Sequence, residues 1–211
     1  MSRRNMNPKT RKEEYAEMTR QALMDSALEL FIIKGFQKTS IEDIVQRARV
    51  TRGALYHHFQ SKEEMFIDAY TMLVKQLVDV VEKNISDIED SWERAVAGCK
   101  AFLDYCISPD YKSIRLDDAI GVLGWKKWRQ IDSSYTMKVL REIIQDIKNT
   151  DEFSIDSVDH TANMIYSLLV EAALTIAGSP DKDQTHRQMF EIIQKMLSGL
   201  KKTGAVTSGG S

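Results

Sequence analysis

Apolar residues recur at three- and four-residue spacing along most of the chain, which is the period of an amphipathic helix. The first stripe consists of Leu23, Ala27, Leu30 and Phe31. Gly35 follows this stripe as a helix stop, so the pattern predicts a first helix from residue 9 or 11 to residue 34. Proline is nearly absent and no run alternates as a strand does, so helix is the expected structure throughout.

Two short helices and one long helix are predicted next, over about residues 41–47, 51–57 and 61–83. Either Thr39 with Glu42 or Ser40 with Asp43 can cap the first of them. Ser61 opens a second capping box, which starts the long helix.

Five further helices are predicted, over about residues 92–106, 110–120, 125–148, 156–177 and 183–201. The expected fold is therefore all-α with nine helices, and the long fourth helix links two domains. We expect the domains to cover residues 1–64 and 65–202. The small, polar and glycine-rich residues 203–211 predict a disordered tail.

The charge of the chain is unevenly distributed. Its 211 residues carry a net charge of −2, which by itself argues against a nucleic-acid partner. Residues 1–62 hold 12 Lys and Arg against 7 Asp and Glu, whereas the remainder holds 17 against 24. A basic N-terminal third beside an acidic remainder favours two separate functions, one of which involves a polyanion. A chance distribution of charged residues explains a split of this size about as well.

The sequence predicts a cytoplasmic protein. The basic N-terminus precedes no secretory apolar stretch, and Glu171 interrupts the most apolar segment, residues 164–178. Cys99 and Cys106 fall seven residues apart in one predicted helix, which separates their Cα atoms by roughly 10 Å. That distance exceeds the reach of a disulfide, so we expect two reduced thiols.

Residues 20–64 contain a short helix, a tight break and a second short helix, the arrangement of a helix-turn-helix. Such a unit places its second helix in the major groove of DNA. The residues predicted to read bases are Thr51, Arg52, Gly53, Ala54 and His57. Arg52 can donate twice to guanine O6 and N7, and Thr51 and Ala54 can contact a thymine methyl. Leu55 and Phe59 are predicted to face inward.

Contacts to phosphate are predicted around the edges of that helix. The candidates are Lys38, Thr39, Ser40, Arg47, Tyr56, His58 and Lys62. Ser40 begins a helix, where free N–H groups bind anions, and Lys62 is placed to reach the DNA backbone. The alternative is an ordinary three-helix corner with solvated charges, in which Ser40 and Ser61 only cap helices.

These residues closely resemble the N-terminal domain of the TetR/AcrR family of bacterial transcriptional regulators. The matching strings are Ala27-Leu-x-Leu-Phe31-x-x-x-Gly35-Phe, Thr39-Ser-Ile-x-x-Ile44 and Ala48-x-Val50-Thr-Arg-Gly-Ala-Leu-Tyr56-His-His-Phe59-x-x-Lys62-Glu. The resemblance covers about residues 20–65, and residues 122–132 also look like one subgroup of the C-terminal domains of the family.

Arg49 departs from the family pattern, which usually has glycine in the turn. Glycine accepts a left-handed conformation freely, whereas another residue there costs about 1 kcal/mol. Either the turn differs slightly in this chain or Arg49 offsets that cost with a backbone contact.

The resemblance implies roles for individual positions. Those matching Tyr56 and Lys62 usually contact phosphate, and those matching Thr51, Arg52, Ala54 and His57 meet bases or phosphates. It also implies a homodimer on a pseudo-palindromic operator that usually represses. A small molecule in the C-terminal domain then moves the two DNA-binding heads apart and releases the DNA.

Aromatic residues with a few polar neighbours predict the effector cavity. The candidates are Trp92, Phe102, Tyr105, Trp125, Trp128, Tyr135, Asn163 and Tyr166. The acidic balance of this part favours cationic or neutral effectors over anions. The alternative for each single aromatic is ordinary core packing, since helical stripes usually just pack.

The last two helices are the expected dimer interface, because residues 156–177 are apolar or small most of the way round. The predicted interface residues are Ile165, Leu169, Ala172, Ile176, Met189, Ile193 and Met196. A second copy can cover the face that the core leaves open. The alternative is a central helix in a monomer.

The sequence contains none of the motifs that we searched for as signs of an enzyme. The four histidines have no metal-ligand spacing, and neither a glycine-rich phosphate loop nor a nucleophile elbow occurs. We therefore expect no catalytic residue, metal or cofactor. The expected function is a repressor released from a palindromic operator by a small molecule, and the alternatives are an activator or a helical protein-interaction module without an effector.

Overall fold

Eight helices make up the described part of the chain. The computed structural model describes residues 10–108, 114, 116–150 and 152–202. The helices are α1 (Arg11–Lys34), α2 (Ile41–Ala48), α3 (Arg52–His58), α4 (Lys62–Ile85), α5 (Ser91–Ile107), α6 (Leu116–Lys148), α7 (Val158–Gly178) and α8 (Lys182–Ser198). Within these residues, β-structure is limited to an isolated antiparallel bridge between Phe153 and Lys201. The all-helical prediction is confirmed.

The predicted count of nine helices is wrong for the described residues. The predicted break at residues 121–124 is a kink inside α6, where Gly124 alone leaves helical geometry with φ 72° and ψ 153°. Only glycine adopts such a conformation at low cost, so two helical segments of α6 meet at Gly124, within the predicted break. Residues 110–113 and 115 of the predicted sixth helix and the predicted tail, residues 203–211, lie outside the described residues.

Two compact units divide the chain. The first comprises the described residues of Met1–Leu73 and Ser113–Trp128, and the second those of Val74–Lys112 and Arg129–Ser211. Both α4 and α6 therefore contribute residues to each unit.

Phenylalanine rings form the core of the first unit. Phe31 and Phe36 both contact Phe66, with ring centroids 5.3 and 5.1 Å away and planes steeply inclined. Leu55 and Phe59 are also buried, which confirms that they face inward and hold α3 against the other helices. The apolar stripe of α1 faces the same core, since Leu23, Ala27, Leu30 and Phe31 are all buried.

The core of the second unit is built from α4 to α8. It includes Cys99 and Leu103 of α5, Ile144 of α6, and Tyr166 and Ile176 of α7. Cys99 and Cys106 are not joined in a disulfide, as the sequence predicts. Among the described helices, α7 alone is long and apolar enough to cross a membrane. A core helix of a soluble protein passes the same test, and six buried residues pack α7 into this unit.

The helix caps follow the second of the two capping alternatives. The Ser40 hydroxyl accepts from the Asp43 N–H at 3.0 Å, and the Asp43 carboxylate accepts from the Ser40 N–H at 3.1 Å. At the start of α4, the Ser61 hydroxyl accepts from the Glu64 N–H. The Glu64 carboxylate reaches back to the Gln60 N–H rather than to Ser61.

The turn between α2 and α3 is left-handed at Arg49, with φ 56° and ψ 40°. The first of the two possibilities for this turn therefore does not apply: the conformation is the one that favours glycine. The Arg49 N–H donates to the Gln46 carbonyl, which closes α2. The side chain is exposed and makes no hydrogen bond or ion pair with the described residues.

Arg49→Gly is expected to stabilise the fold by about 0.5–1 kcal/mol, because it removes the clash of a Cβ atom in a left-handed conformation. The melting temperature is expected to rise by roughly 2 °C. Arg49→Ala is the control, since it removes the side chain but keeps the Cβ, and it is expected to give no such rise. A clear fall in the melting temperature of Arg49→Gly would contradict the explanation.

Candidate functional site

Helix α3 presents an exposed polar face on a buried support. Thr51 caps the helix, since its hydroxyl accepts from the Ala54 N–H at 3.1 Å. Leu55 points into the core, so α3 has a fixed orientation. Four of the five residues predicted to read bases are exposed, and Ala54 is half-buried.

Arg52 is held on this face by three contacts. Its guanidinium forms an ion pair with the Glu42 carboxylate at the start of α2. A second nitrogen of the group donates to the Tyr56 hydroxyl at 3.3 Å, and the guanidinium carbon lies 5.6 Å from the centre of the Tyr56 ring. The hydrogen bond to Tyr56 and the charge of Glu42 raise the pKa of Arg52 above its usual value, so the group stays charged.

The predicted phosphate contacts fall into two groups, one exposed and one structural. Lys38, Arg47 and Tyr56 are exposed, and His58 is half-buried with its ring 5.5 Å from that of His57. The positive charge of Arg47 is partly neutralised, because its guanidinium forms an ion pair with Glu29 of α1.

Thr39 belongs to the structural group and corrects the prediction of a phosphate contact by its side chain. Its side chain is 1% exposed, and its hydroxyl donates to the carbonyls of Gly35 at 2.8 Å and Leu30 at 3.3 Å. These bonds hold the loop between α1 and α2 in place of a contact with DNA.

Lys62 supports the same loop. Its ammonium donates to the carbonyls of Phe36 and Thr39, each at 2.9 Å, and lies 4.1 Å from the centre of the Phe36 ring. A lysine ammonium has three N–H groups, so one remains for a phosphate oxygen.

The start of α2 is already occupied by its own carboxylate. The capping box fixes Asp43 there, and hydrogen bonds from the backbone and then the hydroxyl of Ser40 lower the pKa of Asp43. The Lys34 ammonium lies 3.4 Å from the same carboxylate. The Ser40 hydroxyl therefore already makes a hydrogen bond within α2, in addition to any contact that it makes with a phosphate.

An apolar cavity of about 50 Å³ lies within the second unit. Hydrocarbon side chains of α4 to α8 form nearly all of its wall, including Leu77, Val81, Ile143 and Leu197. The residues of the wall that carry polar side-chain atoms are Thr136, whose hydroxyl donates to the Asp132 carbonyl, Trp92, which has an indole N–H, and Cys99, which has a thiol. Burial raises the pKa of that thiol to about 12, so it is uncharged at neutral pH.

The residues predicted to bind the effector do not form one site. Trp92 and Phe102 line the cavity, and the other six lie elsewhere. Trp125, 57% exposed, and Trp128 belong to the first unit, where the Trp128 indole donates to the Tyr70 hydroxyl at 2.6 Å. The remaining four are Tyr105, Tyr135, Asn163 and Tyr166. The cavity residues missed by sequence reasoning are aliphatic, and nothing in their helical spacing separates them from ordinary core.

Tyr166 is the most strongly perturbed of those six residues. It is buried, its hydroxyl donates to the Asp132 carboxylate, and the Arg129 guanidinium lies 5.3 Å from the centre of its ring. Burial, followed by the charge of Asp132, raises the pKa of Tyr166. The cluster joins α6 to α7 inside the second unit, and Asn163 is exposed on α7.

Most of the predicted interface residues pack inside one chain. Ile165, Leu169, Ala172, Ile176 and Ile193 are buried, Met189 is half-buried and Met196 is 51% exposed. The large apolar side chains that α7 and α8 expose are Met164, Leu174, Ile192 and Met196. In the described residues, no group of three or more His, Cys, Asp or Glu side chains is placed to hold a metal ion.

Two family models match the chain. The model described as bacterial regulatory proteins, tetR family, matches residues 23–69. The model described as tetracyclin repressor-like, C-terminal domain, matches residues 92–200, about half of the chain.

Individual proteins match in the same way. The Transposon Tn10 TetC protein of Escherichia coli is 24% identical over 196 residues, 93% of this chain and 99% of TetC. The probable acrEF/envCD operon repressor of E. coli K12 is 46% identical over 48 residues, 23% of this chain and 22% of that protein. A crystal structure of a TetR-family regulator from Pectobacterium atrosepticum superposes with a TM-score of 0.75 at 27% identity, covering 92% of this chain and 99% of that one.

Proposed function

Because the chain belongs to the TetR family of bacterial regulatory proteins, we propose that it is a repressor that reads a palindromic operator as a homodimer and leaves it when an uncharged effector binds. The family is regulatory and not enzymatic, and its members are soluble cytoplasmic proteins that bind operator DNA as dimers with small-molecule ligands. Repression is favoured by the E. coli relative that is named a repressor.

The exposed face of α3 carries the DNA-binding proposal. Thr51, Arg52, Gly53, Ala54 and His57 are assigned to base edges, since they lie on the outer face of a helix with a buried support. Phosphates are assigned to the groups around this face: Lys38, Ser40, Arg47, Tyr56, His58 and Lys62. Residues 1–64 are proposed as the DNA-binding domain, and residues 65–202 as the regulatory and dimerisation domain.

The dimer interface is proposed on the solvent face of α7 and α8. These helices pack against each other, and between them they expose Met164, Leu174, Ile192 and Met196. Exposed apolar side chains on neighbouring helices are covered favourably by a second copy, and a twofold dimer matches two half-sites on DNA. The buried residues of the predicted set are proposed to support this face from beneath.

The cavity within the second unit is proposed as the effector site, and its wall determines the ligand class. The wall has no charged side chain, and Cys99 is a neutral thiol, so a charged ligand would lose its hydration without a partner. At about 50 Å³ the cavity is smaller than the roughly 150 Å³ that accommodates benzene in another protein. An effector therefore has to displace the walls, which include parts of α4 and α6.

Arg52→Ala is expected to lose sequence discrimination, because it removes the donors proposed to pair with guanine. Lys62→Ala is expected to weaken binding to all sequences alike, because its remaining N–H is assigned to phosphate. Fluorescence anisotropy measures both, using a duplex that the wild-type protein selects from a random pool and a scrambled duplex. Affinity for either is expected to fall steeply with salt. If both variants bind like the wild type, the assignments are wrong.

Transcription in vitro from a promoter that contains the selected duplex distinguishes the possible roles. A repressor lowers transcript yield, and an effector restores it. A rise in transcript yield on adding the protein would indicate an activator, and failure to select any sequence would favour a protein-interaction module.

Ile192→Glu is expected to separate the dimer, because it places a carboxylate in the proposed apolar interface. The dissociation constant of the dimer is expected to rise at least about 100-fold, corresponding to roughly 2.7 kcal/mol. Sedimentation velocity at micromolar concentration measures it. Ile33→Glu is the matched control, since Ile33 is also exposed but lies on α1. A monomeric wild type, or an unchanged Ile192→Glu dimer, would contradict this interface.

Gly98→Ala is expected to stabilise the protein and weaken effector binding together. Its added methyl would lie 3.7–3.9 Å from Ile85, Val81 and Ile143, which is ordinary packing distance, and it fills part of the cavity. Replacing glycine within a helix adds about 1 kcal/mol, or roughly 2–4 °C in melting temperature.

Thermal shift with benzene and indole measures the binding, and benzoate is the charged control. The two neutral compounds are expected to raise the melting temperature of the wild type more than that of Gly98→Ala, and benzoate is expected to have no effect. Equal ligand-induced shifts in both proteins would place the effector site elsewhere.

A further inference from the structure

We propose that Glu42 is a positioning residue that sets the DNA specificity of Arg52. This inference rests on the proposed DNA-binding function and adds an acidic residue that makes no favourable contact with DNA itself. Glu42 lies in the first turn of α2, Arg52 lies in the first turn of α3, and their ion pair bridges the two helices across the exposed face.

The contacts of Arg52 fix its direction without using all its donors. A guanidinium has five N–H groups in a planar fork. One nitrogen donates to Glu42 and another to the Tyr56 hydroxyl, while the Tyr56 ring supports the plane. Three N–H groups remain, enough for a bidentate pair with one guanine.

Fixing the Arg52 guanidinium affects binding to the operator sequence differently from binding to unrelated DNA. At a base edge in the right place, a fixed Arg52 loses little conformational freedom when it binds. At an unrelated sequence, the fixed donors of Arg52 meet no matching base edge, so holding the group gives no corresponding gain. The Glu42 carboxylate also repels the phosphate backbone. Its negative charge offsets the positive charge of Arg52, which weakens the attraction of this face to DNA of any sequence.

The ion pair is suited to this role because it is exposed. The side chains of Arg52 and Glu42 are 60% and 64% exposed, so the pair contributes little to folding stability. A change at Glu42 should therefore alter DNA binding while leaving the fold intact. The Arg47–Glu29 pair, 45% and 51% exposed, is a second exposed arginine–glutamate pair on another part of the first unit.

Glu42→Gln tests the proposal, since it removes the charge and keeps the shape. Binding is measured with the duplex selected by the wild-type protein and with its scrambled counterpart. Affinity for the scrambled duplex is expected to rise, and its plot of log affinity against log salt is expected to steepen by about 0.9, as for one added phosphate contact. The ratio of selected to scrambled affinity is expected to fall roughly 2- to 10-fold, because a neutral amide at residue 42 holds the Arg52 guanidinium less firmly than the carboxylate does.

Two controls separate positioning from a general effect of charge. Glu29→Gln removes the same charge beside Arg47 and is expected to strengthen binding to both duplexes equally. In an Arg52→Ala background, Glu42→Gln is expected to leave the affinity ratio unchanged.

The proposal is wrong if Glu42→Gln leaves the ratio of selected to scrambled affinity unchanged or raises it. It is also wrong if Glu42→Gln lowers that ratio in the Arg52→Ala background. If the wild-type protein selects no sequence at all, the DNA-binding function itself fails, and the role of Glu42 fails with it. The selection step therefore distinguishes the two failures.

Discussion

The burial of Leu55 and Phe59 is the constraint on which the exposed face of α3 depends. A helix of seven residues is too short to be stable alone in water, because nucleation is unfavourable and few hydrogen bonds follow it. Both side chains are almost completely buried, and each contributes roughly 1.5–3 kcal/mol. Because those two positions fix α3, its other positions can be small or polar. The burial of Leu55 and Phe59 thus allows α3 to expose a polar face.

Polar residues beneath that face stabilise the loop that leads into α2. Residues 35–40 leave several carbonyl groups outside any helix, and buried carbonyls need donors. The Thr39 hydroxyl and the Lys62 ammonium supply them. The positive charge of this unit is likewise partly neutralised inside it, since Glu29 and Glu42 pair with Arg47 and Arg52. Two of the arginines in this unit are therefore held in place by carboxylates of α1 and α2.

The sequence was most informative where the structural role of a residue depends only on its near neighbours in the chain. The ends of α1, the capping of α2 by Ser40 and the burial of Leu55 all follow from local rules of spacing and hydrogen bonding. The sequence located the interruption of α6 only to residues 121–124, because glycines at 121 and 124 look alike in sequence, whereas only Gly124 takes a positive φ. The cavity was mostly missed because aliphatic wall residues have the same spacing as core residues. Tertiary pairs such as Glu42 with Arg52 leave no periodic signal.

The chain passes between the two units within α4 and within α6. Helix α6 begins within the first unit, where the Asp118 carboxylate lies beside Gly35 at the end of α1. It then bends at Gly124 and continues into the second unit, where Ile143 and Ile147 line the cavity. Packed hydrocarbon walls resist compression, so a ligand larger than the cavity displaces them rather than fitting within them. Since α4 and α6 each contribute to that wall and continue into the first unit, a ligand that displaces the wall shifts parts of two helices that both units share.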